Sequence, residues 1–109
     1  MKKILATALL FSLGSTLTAF AADGKTIWDE QCAKCHGPGG KGDTKMGKKL
    51  SIKDFSDAKV QAAFTDEEAF KAIKEGLKTP EGVTRMKAIE GLSDDEVKAA
   101  VAQVRSLKK

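Results

Sequence analysis

Hydrophobic residues along this chain change their pattern three times. Ile4 to Leu13 is an apolar run interrupted only by Thr7 and Ser12, with Met1-Lys2-Lys3 before it and Ala19-Phe20-Ala21 after it. A cationic start, an apolar centre and a small-x-small triplet predict a secretory signal peptide over 1–21, cleaved after Ala21. An uncleaved membrane anchor fits less well, because the span 4–22 carries Ser, Thr and Gly residues. No cysteine stands at the cleavage site, which argues against lipid attachment there.

Beyond Asp23 the pattern becomes helical. Asp23 is placed to cap a helix from Gly24 through Cys35, with Gly24, Trp28 and Cys32 four apart on one face. Gly37 to Lys49 is too rich in glycine for regular structure and is expected to form a loop. Two short helices follow, over Ser56–Phe64 and Asp66–Glu75. Thr65 and Glu68 form a capping box for the second, and Gly76 stops it. The clearest terminal signal is Leu92-Ser93-Asp94-Asp95-Glu96-Val97, with Ser93 as N-cap, Glu96 as its capping-box partner and Leu92 against Val97 as a staple. Val97, Ala100, Val101 and Val104 then make one apolar stripe, ending in Arg105, Lys108 and Lys109 where the helix dipole favours cations. No strand-like alternation of useful length occurs, so an all-α fold is expected.

Composition narrows the size and partner class. At 109 residues, 41% hydrophobic and 31% charged, the chain is one small globular domain, not a disordered segment or a two-lobed enzyme. The formal charge of +4 invites a nucleic-acid reading, but no basic-aromatic constellation supports it. Loss of Lys2 and Lys3 with the signal leaves 17 basic residues against 15 acidic ones.

Both cysteines and the only histidine fall in Cys32-Ala33-Lys34-Cys35-His36. This C-x-x-C-H spacing puts two thiols about one helical turn apart, each able to add to one haem vinyl group, with His36 adjacent to ligate the iron. Zinc would need a fourth N or S donor beyond these three. A thioredoxin-like pair would need a βαβ setting that the helical pattern does not supply. A plain disulfide would leave His36 without a role. The glycines of 37–42 do not cradle phosphate, because no strand precedes them and no G-K-[ST] follows. In an exported chain the motif therefore predicts one covalently attached haem c, with iron.

The sixth iron position decides between electron carrier and catalyst or gas binder. No second histidine exists, so Met46 and Met86 are the candidates once Met1 is removed, with lysine a weaker option. Context favours Met86, because the stretch Thr79 to Arg85 is long enough to lay a loop over the far face of the ring. Met46 follows the proximal ligand too closely to cross easily.

Taken together, Gly24-x-x-x-Trp28-x-x-x-Cys32-x-x-Cys35-His36-Gly37, then Met86-Lys87-Ala88, Leu92-Ser93-Asp94-Asp95-Glu96 and Val104-Arg105-Ser106-Leu107 resemble a class I monohaem cytochrome c of the short bacterial type. The resemblance runs from Asp23 to Lys108. It implies a small cytochrome c domain over 22–109, with the first and last helices crossing beside the haem, Cys32 and Cys35 attached to it, and His36 and Met86 on its iron. Three positions depart from the pattern. Lys87 stands where many members have Pro, Lys48 where relatives often have a Pro whose carbonyl orients the proximal histidine, and Gln103 where an aromatic commonly meets the first helix.

With both axial sites filled by protein, the expectation is a periplasmic, soluble electron shuttle and not an enzyme. It would dock transiently on redox proteins, with membranes reached only through such partners, no small-molecule substrate, and a monomeric state. Lys34, Lys41, Lys45, Lys48, Lys49 and Lys87 lie in segments expected to frame the haem, and acidic residues gather at helix starts. A haem enzyme or gas sensor with an open distal site is the alternative, and carbon monoxide binding separates the two.

Overall fold

The computed structural model describes residues 23–109, and the signal peptide assigned to 1–21 lies outside the described residues. Helical structure begins where expected: the Asp23 carboxylate accepts from the Thr26 N–H at 2.7 Å. Helix α1 (Gly24–Ile27), a π-helical stretch (Trp28–Cys32) and α2 (Ala33–His36) follow one another without a break. In the middle stretch the Ala33 N–H reaches back five residues to the Trp28 carbonyl. This wider turn ends on the first cysteine, Cys32, and π-turns inside helices are frequent at functional sites.

The glycine-rich segment differs from the expected loop. Lys45–Leu50 forms a helix, α3. Thr44 caps it, accepting from Gly47 N–H at 2.8 Å, and Ser51 ends it in a left-handed conformation (φ 53°). The cap supplies the missing propensity. Of the helix expected over Ser56–Phe64 only Ala58–Ala62 forms (α4), starting at the Asp57 cap. The next, α5, spans Asp66–Glu75 with the Thr65–Glu68 capping box intact. The last, α6, spans Asp94–Ser106 with the Ser93–Glu96 box.

The described residues are mainly helical, as the all-α expectation has it, with one small sheet added. Leu77–Lys78 (β1) pairs antiparallel with Thr84–Met86 (β2), Leu77 opposite Met86 and Lys78 opposite Thr84. Strands of two and three residues are too short to display alternation in sequence. The turn between them is closed by Thr79 N–H on the Val83 carbonyl (2.8 Å) and Val83 N–H on Thr79 Oγ1 (3.1 Å). The segment expected to be an irregular loop before Met86 is thus a hairpin.

The first and last helices pack together, and α5 packs on α6. A side chain at Gly24 would run into the Ala99 carbonyl oxygen and come within 3.2 Å of Gln103 Cβ. The α6 backbone therefore crosses over Gly24 itself, and Gln103 occupies the place where an aromatic was the alternative. Buried apolar residues form two clusters. Ile27, Ile73, Val97, Ala100 and Val101 form one, with Met86, Ile89 and Leu92 against it. Trp28, Cys32 and Val104 form the other, with Phe55, Phe64 and Leu107 against it. All four stripe residues of α6 are buried, as the pattern predicts. Replacing Gly24 by Ala should separate the two helices and cost about 1–3 kcal/mol, as overpacking does. Thermal unfolding of the variant beside the parent protein checks this, and an unchanged midpoint would contradict the crossing.

Candidate functional site

The segment 24–36 carries Cys32, Cys35 and His36 on a single turn at its C-terminal end. Both cysteines are free, with no disulfide between them. Burial, and then the neighbouring Cys35, push the Cys32 thiol up to about 11, so it stays protonated at neutral pH. Burial pushes the His36 imidazole below its ordinary value, leaving a neutral ring with a lone pair free for a metal.

Several groups fix this turn from outside. Thr44 Oγ1 donates to the Cys35 carbonyl, and Gly42 N–H donates to the His36 carbonyl at 2.8 Å. Trp28, 2% exposed, packs its ring 5.5 Å from His36 and donates from Nε1 to the carbonyls of Gly37 (3.1 Å) and Pro38 (3.2 Å). Phe55 stacks on the imidazole, with centroids 5.1 Å apart and planes at 23°, and its ring also meets the Trp28 ring edge-on at 6.4 Å, so the three rings form one cluster. His36 Nδ1 is buried without a hydrogen-bond partner. No backbone carbonyl near Lys48 hydrogen-bonds this nitrogen, and the contacts to the imidazole are aromatic.

Phe55 is itself held by a polar clamp. Buried Gln61 donates to the Phe55 carbonyl (2.7 Å) and to the Val104 carbonyl (2.8 Å), tying α4 to α6. Arg105 reaches back to the Gln61 carbonyl and side chain, to the Phe64 carbonyl at 2.8 Å and to Asp66 at 2.7 Å. Its guanidinium also lies 4.3 Å from the Phe64 ring centroid. Sequence reasoning missed Phe55, Gln61 and the hydrogen bonds of Trp28. A glutamine among surface-type residues gives no hint of burial, and an isolated aromatic gives no partner.

Met86 lies elsewhere, on β2, half-buried against the Ile27–Val101 cluster. It lines an open groove of about 640 Å3 together with Gln31, Glu75, Lys87 and Ile89. Gln31 directly precedes Cys32, so the groove joins the Met86 segment to the cysteine turn. Met46, on α3, is 43% exposed and belongs to neither cluster.

The donor set fits a covalently held haem. Two free thiols one turn apart adjoin a neutral imidazole, and no group of three or more His, Cys, Asp or Glu suited to a metal ion occurs among the described residues. Only eight apolar residues among those described are enclosed, a small core for such a chain and one that a large apolar group would complete.

Comparison with known proteins points the same way. Residues 21–108 match the family model described as cytochrome c. Among solved structures, the KustC0563 c-type cytochrome is 38% identical, with a TM-score of 0.69 over 81% of this chain and all of that one. A tyrosine-to-phenylalanine mutant of Kustc0563 gives 38% identity and a TM-score of 0.66 over 80% and 100%. A search of curated proteins finds no match.

Replacing Trp28 by Phe keeps an apolar ring in the cluster but removes part of the buried indole and leaves the Gly37 and Pro38 carbonyls without their donor. The variant should lose about 1–3 kcal/mol of stability, measured by denaturant unfolding. A loss indistinguishable from zero would mean that Nε1 does not anchor the turn.

Proposed function

Because the chain belongs to the cytochrome c family, and is thereby a haem electron-transfer protein with covalently bound haem c, we propose that it is an exported single-electron carrier with Cys32 and Cys35 joined to the haem and His36 and Met86 as axial ligands. The observation that carries this reading is the turn 32–36, where two free thiols adjoin a neutral imidazole packed against Trp28 and Phe55. The haem would supply one-electron exchange at its iron. The residues supply attachment, orientation and exclusion of water.

On the proximal side His36 packs against both Trp28 and Phe55, two rings that also touch each other, which restricts rotation of the imidazole. Its Nδ1 is buried beside these rings. Support for Met86 as the other ligand comes from its seat against the apolar core and from the groove it shares with Gln31. The exposed Met46 has neither. A soft thioether in apolar surroundings favours the lower-charged ferrous iron, so the potential is expected to be raised. Two protein ligands leave no position for a substrate, which is why we assign a carrier and not an enzyme.

Lys34, Lys41, Lys45, Lys48, Lys49 and Lys87 are all exposed. They lie on α2, the following loop, α3 and the residue after Met86. Asp66, Glu67, Glu68, Asp94 and Asp95 stand at the starts of α5 and α6. We assign these exposed lysines to brief docking on acidic redox proteins, the protein acting as a soluble periplasmic monomer without nucleic-acid or small-molecule substrates. Among the described residues no helix is long and apolar enough to cross a membrane. The export step rests on the segment 1–21 as read from sequence.

Met86→Ala should abolish the weak long-wavelength sulfur-to-iron band of the oxidised protein and make the reduced protein bind carbon monoxide rapidly, whereas Met46→Ala should do neither. The reverse assignment would follow from the opposite result, and rapid carbon monoxide binding by the unaltered protein would favour the open-site alternative. Electron exchange with an acidic redox protein should slow as salt is raised. Stopped-flow rates that are flat with ionic strength would remove the lysines from docking.

A further inference from the structure

Gly76 ends α5 at φ 79°, ψ −179°, a backbone region populated essentially by glycine. A Cβ built there would lie 2.5 Å from the Met86 carbonyl oxygen, 2.8 Å from the Ala88 nitrogen and 3.3 Å from the Lys87 carbonyl carbon. All three are backbone atoms, so no side-chain rotation can relieve the clash. The Met86–Ala88 backbone therefore runs in direct contact with the end of α5. Two further links bracket the same segment: Leu77 pairs with Met86, and Ile89 N–H donates to the Ile73 carbonyl at 2.8 Å. Between those links Met86 packs on the cluster that contains Ile73.

We infer that Gly76 is a positioning residue for the Met86 sulfur, holding the ligand-bearing segment against α5 together with the Ile73–Ile89 hydrogen bond. This rests on Met86 as axial ligand. The absence of a side chain at 76 sets how closely β2 approaches α5, and so how far Met86 extends from the core. Lys87, directly after Met86, has no ring to stiffen the backbone there. The contact at Gly76 provides that stiffness from the other side.

The internal control is Gly82, in the turn of the same hairpin, which also has positive φ (83°) but nothing within 4 Å of a built Cβ. The test compares Gly76→Ala, Gly82→Ala and Met86→Ala as holoproteins, reading the sulfur-to-iron band of the oxidised form and carbon monoxide binding to the reduced form. Far-UV circular dichroism monitors the fold. The expected result is loss of the band and fast carbon monoxide binding in Gly76→Ala as in Met86→Ala, with Gly82→Ala like the parent and helical content kept in all three. If Met86→Ala keeps the band, the ligand assignment fails and the inference with it. If Met86→Ala loses the band but Gly76→Ala keeps it, the inference alone is overturned. Loss in both glycine variants would also overturn it, since the cause would then be strain in the hairpin and not the contact. Should Gly76→Ala yield no folded holoprotein, Ile89→Pro cuts the hydrogen bond to Ile73 without adding a side chain at 76. Weakening of the band supports the anchoring, and full retention overturns it.

Discussion

The close crossing of α6 over Gly24 is the contact on which the rest of the molecule depends. Without a side chain at 24, the Ala99 backbone lies directly on the first helix, and that approach sets the angle between the two. The same helical segment continues through a π-turn to Cys32, Cys35 and His36. Its beginning is therefore fixed by packing and its end by chemistry. Trp28 links the two, buried with Val104 of α6 while its Nε1 holds the carbonyls that follow His36. A shift at the crossing would be carried along the helix to the imidazole.

The remainder of the fold braces two sides of the same site. On one side, Gln61 and Arg105 bind α4, the residues around Phe64 and α6 into a polar clamp, and Phe55 lies between that clamp and His36. Satisfying several backbone carbonyls from two side chains offsets the cost of burying a glutamine. On the other side a short hairpin carries Met86, tied to α5 through Gly76 and through Ile89. The apolar residues divide between these sides into two clusters, each with few enclosed members. A large flat apolar cofactor suits such a division better than a continuous side-chain core would.

Much of this was legible from residue order because the signals were local. The Asp23 cap and the two capping boxes set helix starts that the structure reproduces, and the α6 stripe named its buried residues. The C-x-x-C-H turn needed no tertiary information, because its three groups are neighbours in sequence. Non-local features were harder to read. The hairpin at 77–86 depends on pairing between strands too short to show a period, and α3 depends on Thr44 overriding glycine-rich surroundings. The Gln61–Arg105 clamp joins positions 44 residues apart. The hydrogen bonds from Trp28 to the Gly37 and Pro38 carbonyls likewise depend on how the loop after His36 folds back.

The central claim is an iron ligated by His36 and Met86 in a carrier with no open coordination site. The proton NMR spectrum of the ferrous holoprotein tests it most directly. A methionine bound to low-spin ferrous iron sits over the porphyrin ring, whose current drives its methyl signal far upfield of the ordinary protein envelope. The account predicts one such three-proton resonance, assignable to Met86 by selective methyl labelling with Met46 at an ordinary position. A diamagnetic spectrum without that resonance, paramagnetic broadening from a five-coordinate iron, or an upfield methyl belonging to Met46 would contradict it.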